Sequence, residues 1–232
     1  KPHLYIKNIK GKRGAVVAKP GVNITPAWIP GQFSLAATLS FSGDPEIYVL
    51  TGTGKIIKRL TNMWGIDVSP TFSPDGKQMA FVSKRSGTPQ IYIKDLDSGN
   101  ARRLTFDGQY NTTPSWSPRG DKVAYSSLDN GQFNIYVIDI SGQNVRGLTQ
   151  YAGDNESPTW SPDGAWLYFS RADADANTPF DSIRYDIFRI AFDPGCDSGL
   201  QSGSIELFFP DMNPFSDEPF HLFPREGTTE IV

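Results

Sequence analysis

"SPTFSPDGKQMAFVS" occupies residues 69–83, and the chain writes nearly the same phrase twice more, as "TPSWSPRGDKVAYSS" at 113–127 and "SPTWSPDGAWLYFSR" at 157–171. The columns align at a fixed interval of 44 residues. Pro26, Pro70, Pro114 and Pro158 form one column. Trp28, Phe72, Trp116 and Trp160 form a second, and Pro30, Pro74, Pro118 and Pro162 a third. Leu60-Thr61, Leu104-Thr105 and Leu148-Thr149 close three of the units. A period of about 40–45 residues is the mark of propeller blades, each of four strands.

Each unit divides in the same way. In residues 113–149, "TPSWS" is a short apolar strand and "SPRG" a turn with Pro second and Gly fourth, as type I geometry favours. "KVAYSS" alternates large and small residues, and "LDNGQ" is a Gly-bearing hairpin. "FNIYVIDI" is β-branched and aromatic, and "VRGLT" is the outermost strand. The expected fold is therefore all-β: a β-propeller of four-stranded antiparallel blades. Residues 3–24 read as half a blade, because Leu4-Tyr5-Ile6 matches Ile47-Tyr48-Val49. Blades follow at 25–68, 69–112, 113–156 and 157–194, and an irregular tail at 195–232 is expected to complete the ring. The literal count is five blades closed by strands from both termini, or six if the tail hides a degenerate unit. Within that tail, "SIELFFP" reads as an outer strand, and "FHLFP" and "TTEIV" as closing strands.

Composition narrows function. The 232 residues carry 22 Lys+Arg against 25 Asp+Glu, so no basic stripe invites nucleic acid. The densest basic stretch, Lys7, Lys10, Lys12 and Arg13, fits a strand edge protected against pairing. No window approaches the roughly 18 apolar residues of a membrane helix, so no membrane insertion is expected, and no signal-peptide pattern is visible. The single Cys196 excludes an internal disulfide. Catalysis needs proton-transfer groups or a metal, and the only histidines are peripheral, His3 at the extreme N-terminus and His221 in the irregular tail. Asp75 and Asp163 sit in Ser-Pro-Asp-Gly turns whose third repeat carries Arg119 in the same column. A turn tolerates that exchange and a catalytic role does not. No enzyme is expected, and no catalytic residue is assigned.

Binding is the stronger expectation. Three residues before each repeat Pro stand Asn23, Asp67, Asn111 and Asn155, at the entrance to each innermost strand. In register they would form a polar ring at one mouth of the channel, with Glu156 adding an acid. The same side chains also suit turn-fixing bonds to the backbone. Met63 and Trp64, in "NMWGID", fall on that face, where Trp64 fits either packing or an exposed anchor for a partner protein. One loop, "DADANTPFD", sets Asp173, Asp175, Asn177 and Asp181 at alternate spacing, as calcium loops do. Thr178 replaces the usual Gly and Arg184 the bidentate Glu. No cofactor is expected, with calcium at this loop the single candidate.

The segment "SP-aromatic-SPDG … IY-aliphatic … LT", over about residues 4–192, resembles the repeats of TolB-like β-propellers. The resemblance implies a non-enzymatic protein-binding scaffold in the bacterial envelope, periplasmic or secreted. It also implies a Pal-like lipoprotein as the partner class of the Tol–Pal system. Two alternatives stand beside it: the propeller domain of a larger, peptidase-type enzyme, and a ligand- or calcium-binding propeller.

Overall fold

The computed structural model describes residues 4–7, 13–150, 153–173, 183–192 and 206–209. Strands β1 (Leu4–Lys7) and β2 (Arg13–Val17) pair as a two-stranded sheet. Four four-stranded sheets follow. The first is β3 (Asn23–Trp28), β4 (Ser34–Leu39), β5 (Glu46–Thr51) and β6 (Ile56–Arg59). The second is β7 (Asp67–Phe72), β8 (Gln78–Ser83), β9 (Gln90–Asp95) and β10 (Ala101–Arg103). The third is β11 (Tyr110–Trp116), β12 (Lys122–Asp129), β13 (Gln132–Asp139) and β14 (Arg146–Gly147). The fourth is β15 (Asp154–Trp160), β16 (Trp166–Asp173), β17 (Arg184–Ala191) and β18 (Glu206–Phe209). Each is an antiparallel meander in which consecutive strands pair, and β3, β7, β11 and β15 lie side by side in chain order. These are propeller blades with their first strands innermost. Glu206–Phe209, within "SIELFFP", form the outer strand of the fourth blade through Phe188↔Leu207 and Arg189↔Glu206, so this blade runs past residue 194, where the sequence alone ends it. The remainder of the tail, and with it the expected closure, lies outside the described residues.

The repeated prolines have a physical reason. In every inner strand the pairing with its neighbour is interrupted, between Ile24/Ala27, Val68/Thr71, Thr112/Ser115 and Glu156/Thr159. The Pro sits in that bulge, where its missing N–H breaks no ladder bond. The residue before it takes positive φ, between 46° and 55°, at Thr25, Ser69, Thr113 and Ser157. Hydroxyls brace this conformation: Thr25 meets Thr38 at 2.8 Å and Thr113 meets Ser126 at 2.8 Å. At the opposite end, Ser73 Oγ donates to Asp75 Oδ1 at 2.6 Å, and the Lys77 N–H donates to the same oxygen at 3.1 Å. Asp163 repeats the pattern with Ser161 and Ala165. These bonds hold both carboxyls below their usual range and show what the turn aspartates do.

Apolar residues are shared out between blades, so the core is a series of joints. Met79 and Phe81 of β8 face the first blade, beside Ile29, Ile47 and Val49. Ala80 and Val82 of the same strand face the third, beside Trp116, Val123 and Tyr125. In β12, Val123 and Tyr125 face back while Ala124 faces forward to Leu167 and Phe169. The large/small alternation in the sequence is thus the means by which each second strand fills the joint behind it while leaving room for the blade ahead.

Candidate functional site

An up-and-down blade sends its second-to-third loop and its exit loop to the same end. Residues 40–45, 60–66, 84–89 and 104–109 therefore share one face. The Gly65 N–H reaches Asp44 Oδ2 at 3.4 Å, and the Lys84 N–H donates to the Ile66 carbonyl at 3.0 Å, so neighbouring loops are bonded together.

At the base of this face a polar set repeats with the blades. Thr61, Thr105 and Thr149 accept the N–H of Ile47, Ile91 and Ile135, at 2.9, 3.0 and 2.9 Å. The hydroxyl of Thr105 donates to Gln90 Oε1 at 2.8 Å, and that of Thr149 to Asn134 Oδ1 at 3.1 Å. Asn111 Nδ2 donates to Gln90 Oε1 at 2.8 Å and to the Asp107 carbonyl at 2.7 Å. Asn155 Nδ2 meets Asn134 Oδ1 at 3.4 Å, and Asn155 Oδ1 accepts from Arg171 Nε at 2.8 Å. Asn23 Nδ2 donates to the Lys19 carbonyl at 2.8 Å. Asp67 Oδ2 accepts from Arg85 Nη2 at 2.9 Å.

This arrangement corrects one expectation. Asn23, Asp67, Asn111 and Asn155 are buried. Asn111 and Asn155 reach back into the third strand of the preceding blade, so the column makes no open polar ring. A buried amide or carboxylate must be matched by partners at hand, and the joint supplies them. Glu156 is half-buried, and burial, followed by the Asp154 charge, raises its carboxyl. The column Glu46, Gln90, Asn134 completes the set. The repeat motifs do not point to it, although its spacing of 44 is plain in the sequence.

What the face offers outward is aromatic. Trp64 is 89% exposed and Phe106 69%, with Met63, Phe41 and Tyr110 also exposed. Cations sit beside two of them: Arg103 lies 4.9 Å from the Phe106 ring and Lys19 Nζ 5.7 Å from that of Phe41. Trp64 is thus an exposed side chain on a loop bonded down at both ends. The opposite end of the inner strands carries a shallow hollow of about 300 Å³, lined by Phe72, Trp116, Trp160, Pro74, Pro118 and Pro162. Of the calcium candidates, Asp173 ends β16, and Asp175, Asn177 and Asp181 lie outside the described residues, as do His3, His221 and Cys196. Among the described residues no three acidic, His or Cys side chains gather to hold a metal, and no helix is long and apolar enough to cross a membrane.

Residues 1–183 match the family model described as the TolB beta propeller domain. Over 64 residues the chain is 59% identical to the Tol-Pal system protein TolB of Desulfosudis oleivorans, a match covering 28% of this chain and 15% of that protein. Among solved structures it resembles TolB from Acinetobacter baumannii, at TM-score 0.70 and 33% identity, over 82% of this chain and 46% of the other. It also resembles a putative TolB from Agrobacterium tumefaciens, at TM-score 0.66 and 23% identity, over 85% and 84%; that likeness concerns the fold alone. The chain thus spans less than half the length of the first two relatives.

Proposed function

The chain belongs to the TolB β-propeller family, and from that premise we propose that it is a non-enzymatic scaffold that docks a protein partner on its loop-bearing face in the bacterial periplasm. The observation that carries this reading is Trp64, 89% exposed on a loop bonded to both neighbouring blades. A rigid aromatic side chain loses little entropy when a partner covers it, and Trp is among the residues most enriched at binding hot spots. Met63 and Phe106 widen the apolar surface, and the buried Asn and Asp column with Thr61 and Thr105 holds the loops in place. The partner class is a Pal-like envelope lipoprotein, in keeping with a relative named as a Tol-Pal system protein. The probe is the soluble domain of such a lipoprotein, with affinity measured by titration calorimetry. Trp64→Ala is expected to weaken binding at least about 30-fold, the mark of a hot spot. Affinity unchanged in both Trp64→Ala and Met63→Ala, or no binding by the unaltered chain, would overturn the reading.

The ring itself is proposed to hold five blades, with β1 and β2 as the outer pair of a composite one. Trp28 supports this. It is 52% exposed, whereas Phe72 and Trp116 in the same column are 7% exposed. Trp160 lies against the inner strand behind it, its Nε1 donating to the Ser115 carbonyl at 3.1 Å. Trp28 borders a groove lined by Leu4, Tyr5, Ile6, Pro26, Ala27 and Leu35, where an inner strand of the composite blade would lie. Hydrogen exchange tests this. The β1 amides that face away from β2 should exchange slowly if a strand pairs there, and free exchange would rule out closure.

A further inference from the structure

The joint between the first two blades departs from the other two at its polar centre. Where Gln90 and Asn134 stand in the later joints, β5 begins with Glu46. Where Asn111 and Asn155 donate an amide proton, β7 begins with Asp67. Both acids are 1% exposed. Glu46 Oε1 accepts from Arg59 Nη2 at 2.6 Å, and the Thr61 hydroxyl lies close enough to pull the Glu46 carboxyl down. Glu46 Oε2 is buried and has no hydrogen-bond partner among the described residues. Asp67 is tied to Arg85, which stacks over Phe81 and Tyr92 at 5.2 and 4.8 Å. The charged and titratable groups around Glu46 are therefore Arg59 on β6, Asp67 on β7, Arg85 behind Asp67 on the loop after β8, and Tyr48 on its own strand. The repeat geometry calls for a donor between the two positions, and two carboxylates supply none.

We propose that Glu46 and Asp67 form a proton-operated latch. A proton taken from solvent and held between their carboxyl groups supplies the missing donor, restores the bond that the other joints make with amides, and fixes segment 61–67 to the first blade. Burial first, and then the Asp67 charge, raises the Glu46 carboxyl against the opposing pull of Thr61 and Arg59. A carboxyl raised in the folded state contributes stability that is fully present below its ordinary value and is lost as pH rises through its folded value. The first joint is therefore tightest in mild acid and loosens as pH rises, while the amide joints do not respond. Segment 61–67 carries Met63 and Trp64, so the latch sets how firmly the aromatic surface is held. The latch itself stands whether or not a partner docks there.

The test is hydrogen exchange on the intact chain between pH 5 and 8. The amides of Ile47 and Asp67, bonded to Thr61 Oγ1 and the Pro45 carbonyl, are compared with their counterparts Ile91 and Asn111, bonded to Thr105 Oγ1 and the Pro89 carbonyl. The ratio of protection is expected to fall about tenfold or more as pH rises, because a carboxyl that holds its proton more tightly in the closed joint favours closure in acid and loses that advantage once ionised. Asp67→Asn supplies an amide donor and should flatten the ratio. If that variant does not fold, Glu46→Gln serves, being the residue the second joint uses. A ratio that is flat in the unaltered chain, or equally steep in either variant, overturns the proposal. So does a Glu46 carboxyl carbon that titrates by NMR at the ordinary glutamate value.

Discussion

The joints between blades and the loop-bearing end face are made from the same 44-residue unit, and they use it in opposite ways. In the joints the columns recur: Phe72, Trp116 and Trp160, then Thr61, Thr105 and Thr149, then Met79 and Val123, each buried or half-buried at its matching place. On the face the columns break. Met63-Trp64 in one exit loop becomes Asp107-Gly108 in the next, and Asn62 becomes Phe106. Recurrence marks what every blade must do to stack on its neighbours. Departure marks what one blade does alone, and function on a propeller is to be sought there.

The widest break in that comparison would come from a joint that gave way without consequence. Phe81 is fully buried in the first joint, against residues of β4 and β5. Phe81→Ala should cost about 3–5 kcal/mol, because close-packed neighbouring sheets collapse poorly into the space left. The midpoint of urea unfolding measures it. A loss below about 1 kcal/mol would mean that the blades are held by their backbone ladders and that the joints are incidental.

A finer cut comes from the polar base of the joint. Thr105→Val keeps the shape of the side chain and removes both its bonds, the one accepted from the Ile91 N–H and the one given to Gln90 Oε1. Two buried groups then lose a partner, at a cost of about 1–3 kcal/mol in the same unfolding measurement. A neutral outcome would show that Asn111 alone satisfies Gln90 and that the Leu-Thr column is kept for other reasons.

How much is legible in the sequence follows from the same division. The period makes the blades visible, because every blade meets the same stacking problem and solves it with the same residues. The role of the Pro column is hidden, since a proline inside a strand argues against that strand unless the bulge is known. The direction of the Asn and Asp side chains is hidden too. Sequence places Asn111 at the entrance to an inner strand, but only the fold shows Gln90 of the blade behind waiting to receive it. Glu46 is within reach of spacing alone. It escapes notice because a charged residue opening a strand usually faces solvent, and here Thr61 and Arg59 close around it.

Trp64 sharpens the comparison most, since it should combine the smallest effect on stability with a large one on binding. It lies in a loop whose ends are held by Thr61 and Asp67, and its own side chain is 89% in solvent. Removing it takes little apolar surface out of the core, so Trp64→Ala should shift unfolding by no more than about 0.5 kcal/mol. Trp116→Ala, at the buried end of a joint, should cost about 3–5 kcal/mol. Measured side by side, the two tryptophans separate the roles. A stable Trp64→Ala chain that no longer binds the lipoprotein probe assigns that side chain to the partner. A Trp64→Ala chain as damaged as Trp116→Ala would instead make the loop part of the joint, and the docking surface would have to be sought around Phe106 and Tyr110.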